Sequence, residues 1–365
     1  MKYIPQIEPW IDGAELKQLE EVISSTFITE NKKTEEFLNQ ICQLTGSPHA
    51  IATSNGTLAL VASLLSAGIG DGDEVIVPDL TFIATSNAVI LVGAKPVFCD
   101  VLPTSGCLDV DACAELINEK TKAIIPVHLY GQSVEMEQLE ALVTKHGIVV
   151  IEDAAESMGV FYKGKHTGTF GDYGIFSFFG NKLITCGEGG VVLTKTTENY
   201  KELYRIKNHG RDRKGIFIHE NVGYNFCFTD LQAAIGVAQL QKYETMITAK
   251  KSHFKLYSQL LADIDEVEVV DVPDYVDSNY WFVNILLESP ADLNDYLESK
   301  GIGTRRYFYP LHLQPCYQPL QRDCPNSLAL YEKGLSLPSS VLLKEDEIKY
   351  VCSQIRSFYT SKLKR

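Results

Sequence analysis

GIFSFFGNKLITCGEGG, residues 174–190, is the stretch whose reading decides the fold of this chain. Gly174 to Phe178 is a short apolar run of strand type. It opens into a turn rich in Gly, Asn and Thr that carries Lys182. The cluster Gly187, Gly189 and Gly190 then lets the backbone fold tightly past that turn. Upstream, a second apolar run, Gly147 to Glu152, ends in Asp153. Two strands that each deliver one charged residue at their carboxyl end suit an open α/β sheet, in which ligands gather on one rim.

Working outward, strand-like runs recur at 50–53 (AIAT), 74–78 (EVIVP), 96–101 (PVFCDV), 123–127 (AIIPV), 148–152 (IVVIE) and 190–194 (GVVLT). Several are nearly continuous in apolar residues, as strands buried on both faces are. Amphipathic stretches lie between them, at Thr57–Ala67, Thr81–Val92 and Glu135–Lys145. The alternation predicts an α/β fold with a mainly parallel seven-stranded sheet covered by helices, in a large domain over residues 1–245. A long helix is expected from Asp230 to about Lys250. Beyond it, residues 246–365 read as a smaller C-terminal α/β domain. Its strands are expected near 266–271 and 281–287, and its helices near 291–300 and 344–360.

Bulk properties bound the function. With 365 residues and 45% hydrophobic content, the chain can bury one large core and a smaller second one. A formal net charge of −14 disfavours nonspecific nucleic-acid binding. No run of apolar residues is long enough to span a membrane, and MKYIPQIEPW lacks the pattern of a signal peptide. Nine cysteines, an odd number without CxxC pairs, point to a reducing cytoplasm and to no structural metal.

Several motifs carry chemistry. TSNGTLAL, residues 53–60, reads as a strand end, a tight turn and a helix start. Ser54 or Asn55 caps the helix, and the N–H groups of Gly56 and Thr57 are left for a phosphate. An ordinary cap has the same pattern. Phe82, just past a strand end, is placed either to stack on a flat ring or to join the core. His128 reads equally as a satisfied core histidine and carries no assigned role. Asp153 is placed to hold a pyridine nitrogen protonated, and Ala155 is small enough to let a ring lie flat. Ser177 stands at the end of the strand that leads to Lys182, with a hydroxyl suited to a phosphate. Taken alone, Lys182 would read as a solvated loop lysine. Together, a lysine that condenses with an aldehyde and an aspartate for a ring nitrogen suit pyridoxal 5′-phosphate.

TSNGT, IEDAAES, GTFGDYGIFSFFGNK, GEGGVV, GYN and YPLHLQPCY occur in that order, from about IPQIEPW to Pro338. In them the chain resembles the DegT/DnrJ/EryC1/StrS family of PLP-dependent sugar aminotransferases, of fold type I. The SFFGNK and TCGEGG segments look most like members that aminate carbon 4 of a nucleotide-linked sugar. The resemblance implies that Lys182 carries the cofactor and moves the proton, that Asp153 pairs with the ring nitrogen and that Phe82 stacks on the ring. It implies phosphate contacts from Gly56, Thr57 and Ser177, with Asn225 reaching in from the other subunit of a homodimer with shared active sites. His312, in YPLHLQPCY, falls where the family places a substrate-side histidine. The expected donor is L-glutamate and the favoured acceptor GDP-4-keto-6-deoxymannose. A UDP- or dTDP-linked keto sugar, another phosphorylated ketone, and a non-catalytic PLP-binding regulator are the alternatives. Relatives that remove a hydroxyl carry His at the lysine position, so Lys182 favours amino transfer. Many members read GYN-x-R, whereas Cys227 stands here in place of the arginine. Arg305 and Arg306 are equal candidates for contact with the donor carboxylate or the nucleotide phosphates.

Overall fold

Seven strands form the central sheet: β1 (His49–Thr53), β2 (Glu74–Pro78), β3 (Lys95–Cys99), β4 (Thr121–Ile124), β5 (Val149–Asp153), β6 (Tyr173–Ser177) and β7 (Gly190–Thr194). Their order is β1-β7-β6-β5-β4-β2-β3. The computed structural model describes residues 3–362 except Lys214, Ile216, Glu220 and Gln321. All adjacent pairs are parallel except the two made by β7, which runs antiparallel to both β1 and β6. β1 therefore points the same way as β6. The carboxyl ends of six strands and the start of β7 share one rim.

The apolar runs explain the layering. Val75 and Val77 pack into one cluster with Leu60, Leu64 and Val89, while Ile76 between them packs into another with Val134 and Leu139. Both faces of the sheet are thus covered, and each fully buried aliphatic side chain contributes roughly 1.5–3 kcal/mol. A third cluster, which includes Phe254, Ile285, Leu297 and Ile355, belongs to a second sheet. That sheet joins β8 (Glu268–Val269), β9 (Val283–Leu286), β10 (Arg305–Arg306) and β11 (Gly334–Leu337) in the order β8-β9-β11-β10. Helices Pro290–Ser299 and Glu345–Lys362 accompany it. A three-stranded ribbon ties the two regions together, Val276–Asp277 pairing with Phe161–Tyr162, which pairs in turn with Lys165–His166. Among the described residues no helix is long and apolar enough to cross a membrane.

The expected long helix is two helices, Asp230–Gln241 and Tyr243–Leu261. At Lys242 the backbone N–H turns back to the Gln239 and Leu240 carbonyls. Its ammonium is meanwhile held by Glu15 at 2.6 Å and Asp12 at 3.3 Å. Neither Gly nor Pro marks the break; it coincides with this tie to helix Gly13–Ser25 and its cap Asp12.

Glu152 and Asp153 are adjacent on β5 and point to opposite sides. Glu152, wholly buried, accepts the N–H groups of Gly168, Phe170 and Gly171, each at 2.7 Å, and pairs with His128 Nε2 at 2.9 Å. His128 Nδ1 in turn accepts the Val134 N–H at 3.3 Å, so His128 is a satisfied core residue. This cluster fixes the turn that returns the chain into β6. At Gly174 the packing is so close that a Cβ would sit 2.0 Å from the Gly168 carbonyl oxygen.

Burial pushes the Glu152 carboxyl up in pKa, but His128 and the glycine N–H groups outweigh it and hold the group below its ordinary value. A carboxyl lowered on folding stabilises the fold above its unfolded pKa, and that stability is lost as pH falls through the folded value. The urea midpoint should therefore drop as pH is taken below about 4.3, the ordinary glutamate value. Glu152→Gln should flatten that acid limb and cost roughly 3 kcal/mol at neutral pH, because His128 loses its buried partner. Urea unfolding followed by circular dichroism across pH checks both.

Candidate active site

The rim holds a helix start, a carboxylate and an amine. Asn55 is extended, with φ −165°, and its side-chain oxygen accepts the Leu58 N–H at 2.9 Å, which caps helix Gly56–Ser66. The first helical N–H groups, those of Gly56 and Thr57, have no intrahelical acceptor by geometry. Gly56 lies against β6, since a Cβ there would stand 3.0 Å from the Ser177 Cβ and 3.3 Å from its hydroxyl oxygen. The turn is closed from the other side by Gly190, where a Cβ would meet the Asn55 carbonyl oxygen at 2.4 Å. Ser177 and Thr53 both register with Gly190.

Asp153 is buried at the end of β5. It accepts the Thr85 hydroxyl at 2.8 Å and the Ala155 N–H at 3.2 Å. Burial pushes its carboxyl up, while Thr85, Ala155 and the nearby Lys182 draw it down. The Lys182 side chain is 14% exposed, with its amine 3.6 Å from Glu156 and 4.1 Å from the centre of the Trp281 ring. Burial lowers its pKa, against the pull of Glu156 and Asp153, and Arg305 lowers it further. An amine of lowered pKa has more of its neutral, proton-accepting form near neutral pH. Glu156 takes the Tyr130 N–H at 2.9 Å on its other oxygen. Tyr130 reaches that position with φ 54°, a left-handed conformation uncommon for a side chain of its size.

The remaining expected residues lie as follows. Phe82 is 55% exposed, its ring 5.8 Å from that of Phe308, so it is not a core residue. His312 is buried, and its Nδ1 and backbone N–H both bond Asp79 at 2.7 Å. Cys324 stands beside this pair, all three ligand atoms lying within 4.8 Å of one another. Asp79 directly follows β2, so the pair sits near the same rim. Asn225 is exposed and stands apart. It lines a surface cleft of about 660 Å³ with Thr29, Asn208, Arg211 and Cys227, and its side-chain oxygen accepts the Cys227 N–H at 3.3 Å. Cys227 Sγ lies 3.6 Å from the Lys207 carbonyl oxygen. Arg305 and Arg306 are no longer equivalent. Neighbours on a strand point to opposite faces, and Arg306 is spent on the carbonyls of Tyr331 and Gly334 at 2.7 and 3.2 Å. Arg305 lies over the Phe282 ring, and among the described residues it has no hydrogen-bond acceptor.

Four side chains here escaped the sequence reading: Thr85, Glu156, Asp79 and Trp281. Glu156 had the strongest signal, as a carboxylate three residues beyond Asp153 in the same turn.

These residues fit pyridoxal 5′-phosphate. The helix start beside the Ser177 hydroxyl is a cradle for a dianion. Asp153 is a buried carboxylate whose hydrogen-bond donors among the described residues, the Thr85 hydroxyl and the Ala155 N–H, are neutral. Lys182 is an amine held at long range by Glu156. Phe82 presents an uncovered ring. When bound, the cofactor supplies an aldehyde that bonds amines and a ring that takes up the electron pair left at carbon.

The DegT/DnrJ/EryC1/StrS aminotransferase family model matches residues 9–356. GDP-perosamine synthase of Escherichia coli O157:H7 is 39% identical over 366 residues, covering 99% of this chain and 100% of that protein. GDP-perosamine synthase of Vibrio cholerae is 36% identical over 364 residues, covering 98% and 99%. Spr1654 of Streptococcus pneumoniae, solved in its PLP-form, superposes with a TM-score of 0.92 at 28% identity, over 97% of this chain and 98% of that one.

The rim makes a test of the phosphate cradle. Gly190→Ala drives a methyl group into the Asn55 carbonyl, so it should cost roughly 1–3 kcal/mol. It should also weaken cofactor retention about tenfold or more, read as the dissociation constant from titration of the stripped protein.

Proposed function

The chain belongs to the DegT/DnrJ/EryC1/StrS aminotransferase family, and we propose that it moves the amino group of L-glutamate to carbon 4 of GDP-4-keto-6-deoxymannose, giving GDP-perosamine. One observation carries the amino transfer: a buried lysine of lowered pKa, Lys182, facing the carboxylates Asp153 and Glu156 at the strand-end rim. The choice of sugar follows the relatives, whose likeness runs the length of the chain.

In this reading the groups at the rim divide the tasks. Gly56 and Thr57 N–H groups and the Ser177 hydroxyl hold the cofactor phosphate. Phe82 stacks on one side of the ring, and Ala155 leaves room on the other. Asp153 would accept a hydrogen bond from the protonated ring nitrogen and stabilise its positive charge. Lys182 would hold the cofactor between turnovers and, once released, would take the proton from the donor's α-carbon and deliver it to the carbon that was the cofactor's aldehyde. His312, oriented by Asp79, faces the sugar. Asn225 serves the second subunit of a homodimer. Exposed Ile23, Phe27, Ile28, Phe179 and Val222 support such an interface. The thiols, none of them in a disulfide among the described residues, suit the cytoplasm.

Arg305 receives the donor's α-carboxylate. That carboxylate is one bond from the carbon whose nitrogen must take the place of the Lys182 amine. A sugar nucleotide's phosphates stand a whole ring away from carbon 4. A guanidinium whose field reaches Lys182 matches the nearer anion, and its planar fork suits a carboxylate.

Amino transfer to GDP-4-keto-6-deoxymannose, followed by mass spectrometry of the sugar nucleotide, tests the reaction. Lys182→Ala should lower the rate by about a thousandfold or more while leaving the fold intact by circular dichroism. Arg305→Ala should raise the KM for glutamate roughly 10–100-fold and leave the KM for the sugar nucleotide within about twofold. A rise confined to the sugar nucleotide would reassign Arg305 to the phosphates.

A further inference from the structure

We propose that the indole face of Trp281 and the carboxylate of Glu156 form a seat that receives the Lys182 ammonium whenever that amine is not bonded to the cofactor. Trp281 is thereby a positioning residue, acting through Lys182. The proposal rests on the reading that Lys182 is the lysine that carries the cofactor.

The geometry is that of a built cation site. The Lys182 amine lies over the ring, 4.1 Å from its centre, with Glu156 at 3.6 Å on another side. Trp281 is 1% exposed and anchored on every polar atom it has. Its backbone N–H donates to Asn279 at 2.8 Å, and its indole N–H donates to the carbonyl of Asn181 at 3.0 Å. Asn181 is the residue before Lys182, so the ring is pinned to the chain that carries the amine. The Trp281 carbonyl accepts the buried Lys250 ammonium at 2.5 Å, and the Phe282 ring stacks at 3.8 Å. The two walls of the seat are also tied to each other. Asn279 donates to the carbonyls of Glu156 and Met158 at 3.1 and 3.0 Å.

The reaction needs such a place. A lysine that alternates between bonded and released must stay within reach when released, although a free four-carbon stem has many rotamers. An aromatic face and a carboxylate both favour the charged amine. Asp153 adds to them, while burial and the Arg305 guanidinium oppose them. The seat therefore sets how readily the released amine gives up its proton.

The test uses the full-length enzyme loaded with pyridoxamine phosphate, the form that leaves Lys182 unbonded. Its pKa is read from pulse labelling with acetic anhydride across pH and peptide mass spectrometry. Trp281→Leu should lower that pKa by about one unit. Trp281→Phe, which keeps an aromatic face, should lower it by less than half as much. The chain has two tryptophans, so Trp10→Phe leaves Trp281 as the one source of tryptophan emission, with the seat intact. Its fluorescence should titrate with the same pKa as the labelling, which decides the matter even if Trp281→Leu does not fold. Equal shifts in the Phe and Leu variants, an unmoved pKa, or flat emission through the Lys182 transition would overturn the seat. Borohydride trapping of the PLP-loaded protein, with peptide mapping, separately locates the cofactor. A label on another lysine would sink the reading of Lys182 itself, whereas a label on Lys182 with no pKa shift would sink only the seat.

Discussion

The buried Glu152 carboxylate is the constraint on which the rest of the site depends. It gathers three backbone N–H groups from the 168–171 turn and one histidine. An ionised carboxylate inside a protein is tolerable only when so satisfied. The geometry it demands brings β6 alongside β5, and with β6 come Ser177 and the turn bearing Lys182. Its neighbour Asp153 faces the other way, into the rim. By the alternation of a strand, one dipeptide thus spends one carboxylate on architecture and turns the other to the rim, where the proposed function uses it.

Much of this was legible in the sequence because it is local. The sheet strands are continuous apolar runs, and such runs are what a doubly covered sheet requires. Lys182, Asp153, Ser177 and Gly56 were visible because each sits where an apolar run gives out. The reversal of β7 was not visible, since GVVLT reads the same whichever way the strand runs. Nor was the break at Lys242, which coincides with a tie to carboxylates more than two hundred residues away. Thr85, Asp79 and Trp281 were hidden for the same reason. Trp281 acquires its meaning from Asn181, 100 residues distant, and nothing in SNYWF announces that.

The electrostatics of the rim are a balance of opposed terms. The chain is strongly acidic overall, yet an aminotransferase of this family must hold a phosphorylated cofactor and a nucleotide sugar, both anionic. Backbone N–H groups at a helix start and the Arg305 guanidinium, which has no hydrogen-bond acceptor among the described residues, are the positive groups available to such ligands. Both are fixed dipoles or charges that burial does not neutralise, unlike a lysine. In the proposed reaction Lys182 is the cation whose charge comes and goes, and burial, which lowers its pKa, favours the neutral amine.

The ribbon in which Val276–Asp277 pairs with Phe161–Tyr162 has a mechanical consequence. It lies four residues before Trp281 and spans the two sheets. Any rotation of the smaller sheet about helix Tyr243–Leu261 would shear that ladder and pull the indole off the lysine. The position of the smaller sheet is thereby coupled to that of the amine, through the ladder and through the indole's bond to the Asn181 carbonyl.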